Sequence, residues 1–471
     1  MSKRPRFQLT ILCSFLVCAA FSAAQDNELQ NLDREFKSAV AQYDAGHFTE
    51  AAAQLEDLLP RVPNSFEVHE LLGQVYASLS QDAKAIEHLQ EAVRLKPDSG
   101  PARTNLAATL LHAGKTELAG EQFRRALALE PRNYDANHNL GEFYIQSGKL
   151  ADAIPLLERA QSVNPSSYDN GYDLAQAEFL TGRLGEARKT AQALVRIKDI
   201  GELHNLLGQI EEKDGKFVAA ANEFQIAAQM DPSDDNLFDW GCELLLHRTY
   251  DPAIDVFQQA SRRYPNSPRL LIGLGMALYS RGKYDEAVKA LLAAADLDPS
   301  DPRSYTILSR AYDSSPGHAE DVIQRFQRYA GLQPGNALAQ YYYAMSLWKG
   351  KRSEDSDADL PAVETLLKKA IALDESLPEV HVQLGNLYAD RHEYAKSIPL
   401  YLRALELNPN LADAHYRLGQ DYVHTGQKDM AQKEFEVYQR LRAQHLAEVD
   451  KERAEVQQFV YAEKAASSTK P

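Results

Sequence analysis

The residues of Asn133–Pro165, NYDANHNLGEFYIQSGKLADAIPLLERAQSVNP, return along most of the chain at a spacing of about 34 positions. No other feature restricts the fold so strongly. In this copy Leu140, Gly141 and Tyr144 fall on one helical face. Gly148 breaks the pattern, Ala153, Leu157 and Ala160 form a second helical stripe, and Pro165 ends it because proline cannot continue a helix. The unit is a hairpin of two amphipathic helices. Its small residues, Gly141 and Ala153, mark where the helices approach, while Leu140, Tyr144 and Leu157 fill the seam. A single hairpin buries little surface, so it has to stack on copies of itself.

The copies are present. Leu72, Gly73, Tyr76, Ala85, Leu89 and Pro97 make one, and Leu106, Ala107, Ala119, Phe123 and Pro131 the next. Later come Leu207, Gly208, Ala220, Phe224 and Pro232, then Leu274, Gly275, Ala287, Leu291 and Pro299, and then Leu384, Gly385, Tyr388, Tyr401 and Pro409. A degenerate copy has Asp199 where the closing proline is expected, and another has Ser397 in place of the usual alanine. The polar insert KGKRSEDSDADLP after Trp348 reads as a surface loop.

These residues resemble the tetratricopeptide repeat (TPR), whose pattern is W-x2-L-G-x2-Y, then A-x3-F, then P. The resemblance covers residues 32–441. It implies an all-α, right-handed superhelical solenoid of about twelve stacked hairpins. After Phe435 no turn intervenes, so residues 442–465 read as a long C-terminal capping helix and 466–471 as a disordered tail.

The N-terminus adds a compartment. Lys3, Arg4 and Arg6 precede an apolar run from Phe7 to Phe21, and small residues follow to Ala24, so residues 1–24 read as a secretory signal peptide cut before Gln25. Export from a bacterial cytoplasm to the periplasm or outside, in association with the envelope, is the expectation. Cleavage removes three of the 51 basic residues and none of the 67 acidic ones, leaving a net charge of −19 by count. Cys13 and Cys18 leave with the leader, so Cys242 stands alone without a disulfide partner. Such acidity speaks against nucleic acid as a partner, since phosphate binding needs clustered Lys and Arg. No further apolar run is long enough to span a membrane after the signal is cut.

No motif carries chemistry. Gly114-Lys115-Thr116 lacks the first glycine of a phosphate-binding loop because Thr109 stands there. The histidines make no H-E-x-x-H pair, and neither a metal cluster nor a nucleophile elbow is present. The expectation is a protein without cofactor, metal or catalytic residues.

Function then falls to the surface of the first helices, which in TPR arrays lines the concave groove. By this resemblance Asn105 and Asn139 take the position of an asparagine ladder that holds an extended peptide backbone. Asp173 and Asp239 occupy the same offset in other copies. Asp135, His138 and Glu142 complete the non-repeating face of the opening unit. Arg269, Arg303 and Arg310 form a basic island, and Tyr341 and Trp348 offer aromatic contact area. The acidic first half would attract a protein or peptide partner bearing basic segments. The resemblance implies a non-catalytic scaffold or adaptor. An accessory subunit of an envelope assembly, such as exopolysaccharide, pilus or outer-membrane machinery, is the second expectation.

Overall fold

The structure, a computed structural model, describes residues 23–314, 318–351 and 360–445. Residues 1–22 of the expected leader, most of the polar insert, and the C-terminal stretch from 446 lie outside them. The chain divides into two compact units, Met1–Asp199 and Ile200–Pro471. The division falls where the degenerate repeat lacks its proline.

The first unit holds five hairpins: α1 (Ala23–Asp44) with α2 (Phe48–Leu58), α3 (Phe66–Ser78) with α4 (Asp82–Leu95), α5 (Gly100–His112) with α6 (Thr116–Leu129), α7 (Tyr134–Gln146) with α8 (Leu150–Val163), and α9 (Tyr168–Leu180) with α10 (Leu184–Ile197). The second unit opens with α11 (Gly201–Lys213) and α12 (Phe217–Met230), α13 (Asp234–Leu246) and α14 (Tyr250–Arg263), then α15 (Pro268–Ser280) and α16 (Tyr284–Leu297). It continues with α17 (Pro302–Ser314) and α18 (Ala319–Leu332), α19 (Ala337–Lys351) and α20 (Leu360–Leu373), α21 (Pro378–Asp390) and α22 (Tyr394–Leu407). Its last hairpin pairs α23 (Ala412–His424) with α24, which runs over 428–445. The expected number of hairpins, twelve, is found, and the described residues form no strand.

Most hairpins are closed by the same steric device. At Gly141 a Cβ would lie 2.6 Å from Leu157 Cδ2. Gly73 faces Leu89, Gly208 faces Phe224, Gly275 faces Leu291, Gly385 faces Tyr401 and Gly419 faces Phe435 in the same way. The missing side chain lets the large residue sixteen positions later fill the seam. Ala51, Ala85, Ala119, Ala153, Ala187, Ala220, Ala253 and Ala287 are all fully buried at the second helices, where no larger group fits.

The turns are as regular. Gly114 has φ of 73°, with its N–H bonded to Leu111 O at 3.0 Å and Lys115 N–H to Leu110 O at 2.8 Å. This Schellman pairing satisfies carbonyls the helix end leaves open, and glycine takes the left-handed conformation without cost. The first helices start from side-chain caps: Ser65, Ser99, Asn133, Ser167 and Ser233 each accept the backbone N–H three residues on.

A donor near the start of the first helix also reaches back to the carbonyl that ends the preceding hairpin. His69 Nε2 donates to Pro63 O at 3.1 Å, Arg103 Nε to Pro97 O at 3.0 Å and Asn137 Nδ2 to Pro131 O at 3.0 Å. In the second unit Tyr305 Oη donates to Pro299 O at 3.1 Å and His415 Nε2 to Pro409 O at 3.0 Å. The unusual Ser397 is fully buried, and its hydroxyl donates to the buried carboxylate of Asp421 in α23.

First helices also touch across hairpins. α3, α5, α7 and α9 form one such row in the first unit, and α11, α13, α15, α17 and α19 another in the second. These two rows carry the candidate residues.

Candidate functional site

In the first unit α7 and α9 bring five polar groups together. Asp135 lies exposed in the first turn of α7, where the helix dipole favours an anion. His138 is half-buried, with Nδ1 3.1 Å from Asn170 Oδ1 and its ring stacked on Tyr134, centroids 5.4 Å apart. Facing a carbonyl oxygen, Nδ1 acts as the donor. Glu142 is exposed and accepts from Gln146 Nε2 at 3.2 Å. Asp173 of α9 is half-buried, and burial above all lifts its carboxyl to about 6. His138 opposes that rise, whereas Glu142 and Asp169 add to it. Negative charge is thus held against its own repulsion. Asn105 and Asn139 sit half-buried on the same row, a ladder of two rungs that ends at Asp173.

The second unit differs in character. Asp239 accepts a hydrogen bond from Asn205 Nδ2 at 2.8 Å, and Asn205 in turn accepts from Gln209 Nε2 at 2.6 Å. Burial raises the Asp239 carboxyl; the Asn205 bond and Arg269 oppose the rise, and Asp235 adds to it. The expected basic island does not stand as free charge. Arg269 is gripped by Asp234 at 2.7 Å and Asp235 at 2.5 Å, and its guanidinium lies 5.2 Å from the centre of the Phe238 ring. Arg303 pairs with Asp301, whose two oxygens it meets at 3.0 and 2.7 Å. Arg310 remains exposed.

Between α11, α13, α15 and α17 runs a groove of about 640 Å³. Phe238, Leu246, Ile272, Met276 and Ile307 give it an apolar floor, and Gln209, Glu212, Asp239 and Glu243 line it with polar groups. Cys242 also faces it, its thiol pushed up to about 12 chiefly by burial. Glu243 is only 3% exposed, and burial, with Glu212 adding to it, lifts its carboxyl to about 7. Its Oε1 takes no hydrogen bond; His247 Nε2 is 3.4 Å away without the alignment for one.

The two aromatic candidates lie against the core. Trp348 is buried, packed with Ala344, Leu367 and Leu384 inside the core of the second unit. Tyr341 is half-buried against that same core, which raises its phenol. α19 runs to Lys351, longer than the neighbouring first helices, and a large apolar surface there is better satisfied inward than in water. The sequence reading also passed over Gln209, Cys242, Glu243, Leu246, Ile272, Met276 and Ile307. One signal was available: Glu243 is an acid where five other repeats place Thr109, Phe143, Ala177, Ile210 and Ala277, a position that is acidic again at Asp421.

Among the described residues no group of three or more His, Cys, Asp or Glu is disposed to hold a metal ion, and no helix is long and apolar enough to cross a membrane.

Comparison with known proteins agrees with this architecture. Family profiles described as "Tetratricopeptide repeat" match residues 36–100, 238–302, 110–160 and 144–210, and one described as "TPR repeat" matches 385–426. Protein O-mannosyl-transferase TMTC3 of Mus musculus is 26% identical over 192 residues, 38% of this chain and 20% of that protein. Anaphase-promoting complex subunit 3 of Schizosaccharomyces pombe is 23% identical over 42% of this chain and 29% of its own length. TPR repeat-containing protein YpiA of Bacillus subtilis is 24% identical over 40% and 42%. The chain therefore spans between about a fifth and about two fifths of the length of these relatives. Among solved structures, PilW, a type IV pilus biogenesis factor, is 22% identical, covers 44% of this chain and 96% of its own, and has a TM-score of 0.39. Naa15/Naa10 bound to HypK-THB is 16% identical, covers 86% of this chain and 68% of its own, and has a TM-score of 0.37. With repeat matches over more than half its length, and with the hairpins that those repeats specify, the chain is a tetratricopeptide repeat protein.

Proposed function

We propose that this protein is a non-catalytic scaffold whose first-helix rows hold partner proteins or peptides through basic segments. The observation that supports it is the half-buried carboxylate of Asp173, raised to about 6 beside Glu142 and Asp169. Such a group lacks sufficient counter-charge in the free protein, and a partner's Lys or Arg supplies it. Export is part of the proposal and rests on the basic, apolar and small-residue order of residues 1–24.

The test is a panel of basic, neutral and acidic peptides titrated against the full chain at about 50 and about 300 mM salt. Basic peptides should bind best and weaken with salt, and Glu142→Lys with Asp173→Lys should weaken them further. Equal binding across the panel, or affinity indifferent to the double reversal, would remove the proposal.

A further inference from the structure

The groove of the second unit is large for an ion and polar for an apolar plug. Its volume, about 640 Å³, lies within the roughly 300–1,000 Å³ range of sites that enclose organic ligands. Its floor is hydrocarbon and aromatic, with Met276 37% and Leu246 60% exposed. Its charges do not cancel. The two arginines on its wall are already neutralised by carboxylates that lie outside it, Asp234, Asp235 and Asp301. That leaves Glu212 from α11 and Asp239 and Glu243 from α13; His247, 3.4 Å from Glu243, is disfavoured as a cation because burial lowers its pKa. One oxygen of the almost wholly buried Glu243 has no hydrogen-bond partner, a rare and costly condition for a carboxylate.

A ligand that suits both halves carries a long aliphatic stem and a positive head. Lysine and arginine have that form, burying their methylenes along apolar surface while the head keeps polar company. We infer that this groove receives a lysine or arginine side chain of a partner segment, its stem across Phe238, Met276 and Ile307 and its charged head among Glu212, Asp239 and Glu243. This rests on the reading that the scaffold takes basic segments, and assigns the side-chain-specific part of that recognition to α11–α17. A simple amine of short reach satisfies the charge without the floor, and a leucine or phenylalanine fills the floor without the charge.

The probes are fluorescent octalysine, octaornithine, whose stems are one methylene shorter, and octalysine acetylated at every Nε. Octalysine should bind the full chain more tightly than octaornithine, and acetylation should abolish binding. Asp239→Asn with Glu212→Gln should lower octalysine affinity about tenfold or more, as should Leu246→Ser with Met276→Ser. Thermal melting of each variant separates loss of the groove from loss of the fold. An independent readout is the alkylation rate of Cys242, followed by peptide mass, which bound octalysine should slow. Acetylated octalysine binding as well as octalysine would overturn the inference. So would affinity that falls only with Glu142→Lys and Asp173→Lys, an outcome that leaves the scaffold reading standing. Failure of every basic probe to bind would overturn both.

Discussion

Gly141→Ala tests the glycine seam that closes most of the hairpins. An added Cβ would lie 2.6 Å from Cδ2 and 2.9 Å from Cγ of Leu157, where ordinary contact begins near 3.4 Å. Leu157 is fully buried among Ala153, Ile154, Leu174 and Ala177, so it cannot swing aside. Overpacking costs ~1–3 kcal/mol, and a contact this short against a fully buried side chain belongs at the upper end, ~2–3 kcal/mol. Alanine regains ~1 kcal/mol over glycine in a helix interior, which leaves a net loss of ~1–2 kcal/mol. In a Leu157→Ala background, itself destabilised by ~2–5 kcal/mol, the clash is gone. There the same Gly141→Ala change should stabilise by ~1 kcal/mol. The sign reverses, and the coupling is ~2–3 kcal/mol. Because repeat arrays open locally, the suitable assay is hydrogen exchange of the α7 and α8 amides, followed in all four members of the cycle. A Gly141→Ala effect of the same sign in both backgrounds would refute the claim that close approach to Leu157 is why glycine stands there.

Burial raises the Glu178 carboxyl, 3% exposed, to about 7, against the bond it accepts from Thr190 and with Glu158 and Glu186 adding to the rise. The folded state therefore holds this proton more tightly than the unfolded chain, and stability falls as pH rises from about 4.5 through about 7. Glu178→Gln keeps the acceptor for Thr190, so it should be close to neutral near pH 5 and stabilise by ~1–2 kcal/mol near pH 8, read by thermal melting; an equal effect at both pH values would contradict this. Ser397→Ala restores the alanine of the repeat pattern, yet it should destabilise by ~1–3 kcal/mol, because Asp421 loses a donor while still buried; urea denaturation of the variant is the check. The proposed leader predicts that N-terminal sequencing of the mature protein begins at Gln25, and an intact Met1 in the envelope fraction would count against cleavage.

The fold was legible because one steric requirement recurs. Leu140, Gly141 and Leu157 must be large, absent and large wherever two helices touch, so the same letters return at the same spacing. The site was legible only in part. Asp173 and Asp239 stand out by offset, and they do lie half-buried on the first-helix rows. The neutralisation of Arg269 was not visible, since Asp234 and Asp235 stand a whole repeat earlier and meet it only when α13 and α15 stack. Trp348 was read by position alone, although a side chain of that size is drawn to whatever core lies within reach. Glu243 is the opposite case: it is an acid at a buried position of the first helix that carries an acid again at Asp421, so its letter alone does not separate a groove from a packed junction.

The bonds from the first helices to the prolyl carbonyls act as a lock whose key changes at each step. His69, Arg103, Asn137, Tyr305 and His415 reach the same kind of acceptor with different shapes. Several carry a second tooth nineteen residues later, Gln122 for Arg103 at 2.9 Å and Glu434 for His415 at 2.5 Å. Both partners belong to the donor's own stretch of chain, six residues back and nineteen ahead, so each bond fixes the angle at which its first helix leaves the linker, and its loss would strand a buried polar group at ~1–3 kcal/mol. The apolar stripes make the hairpins stick, and these donors aim them.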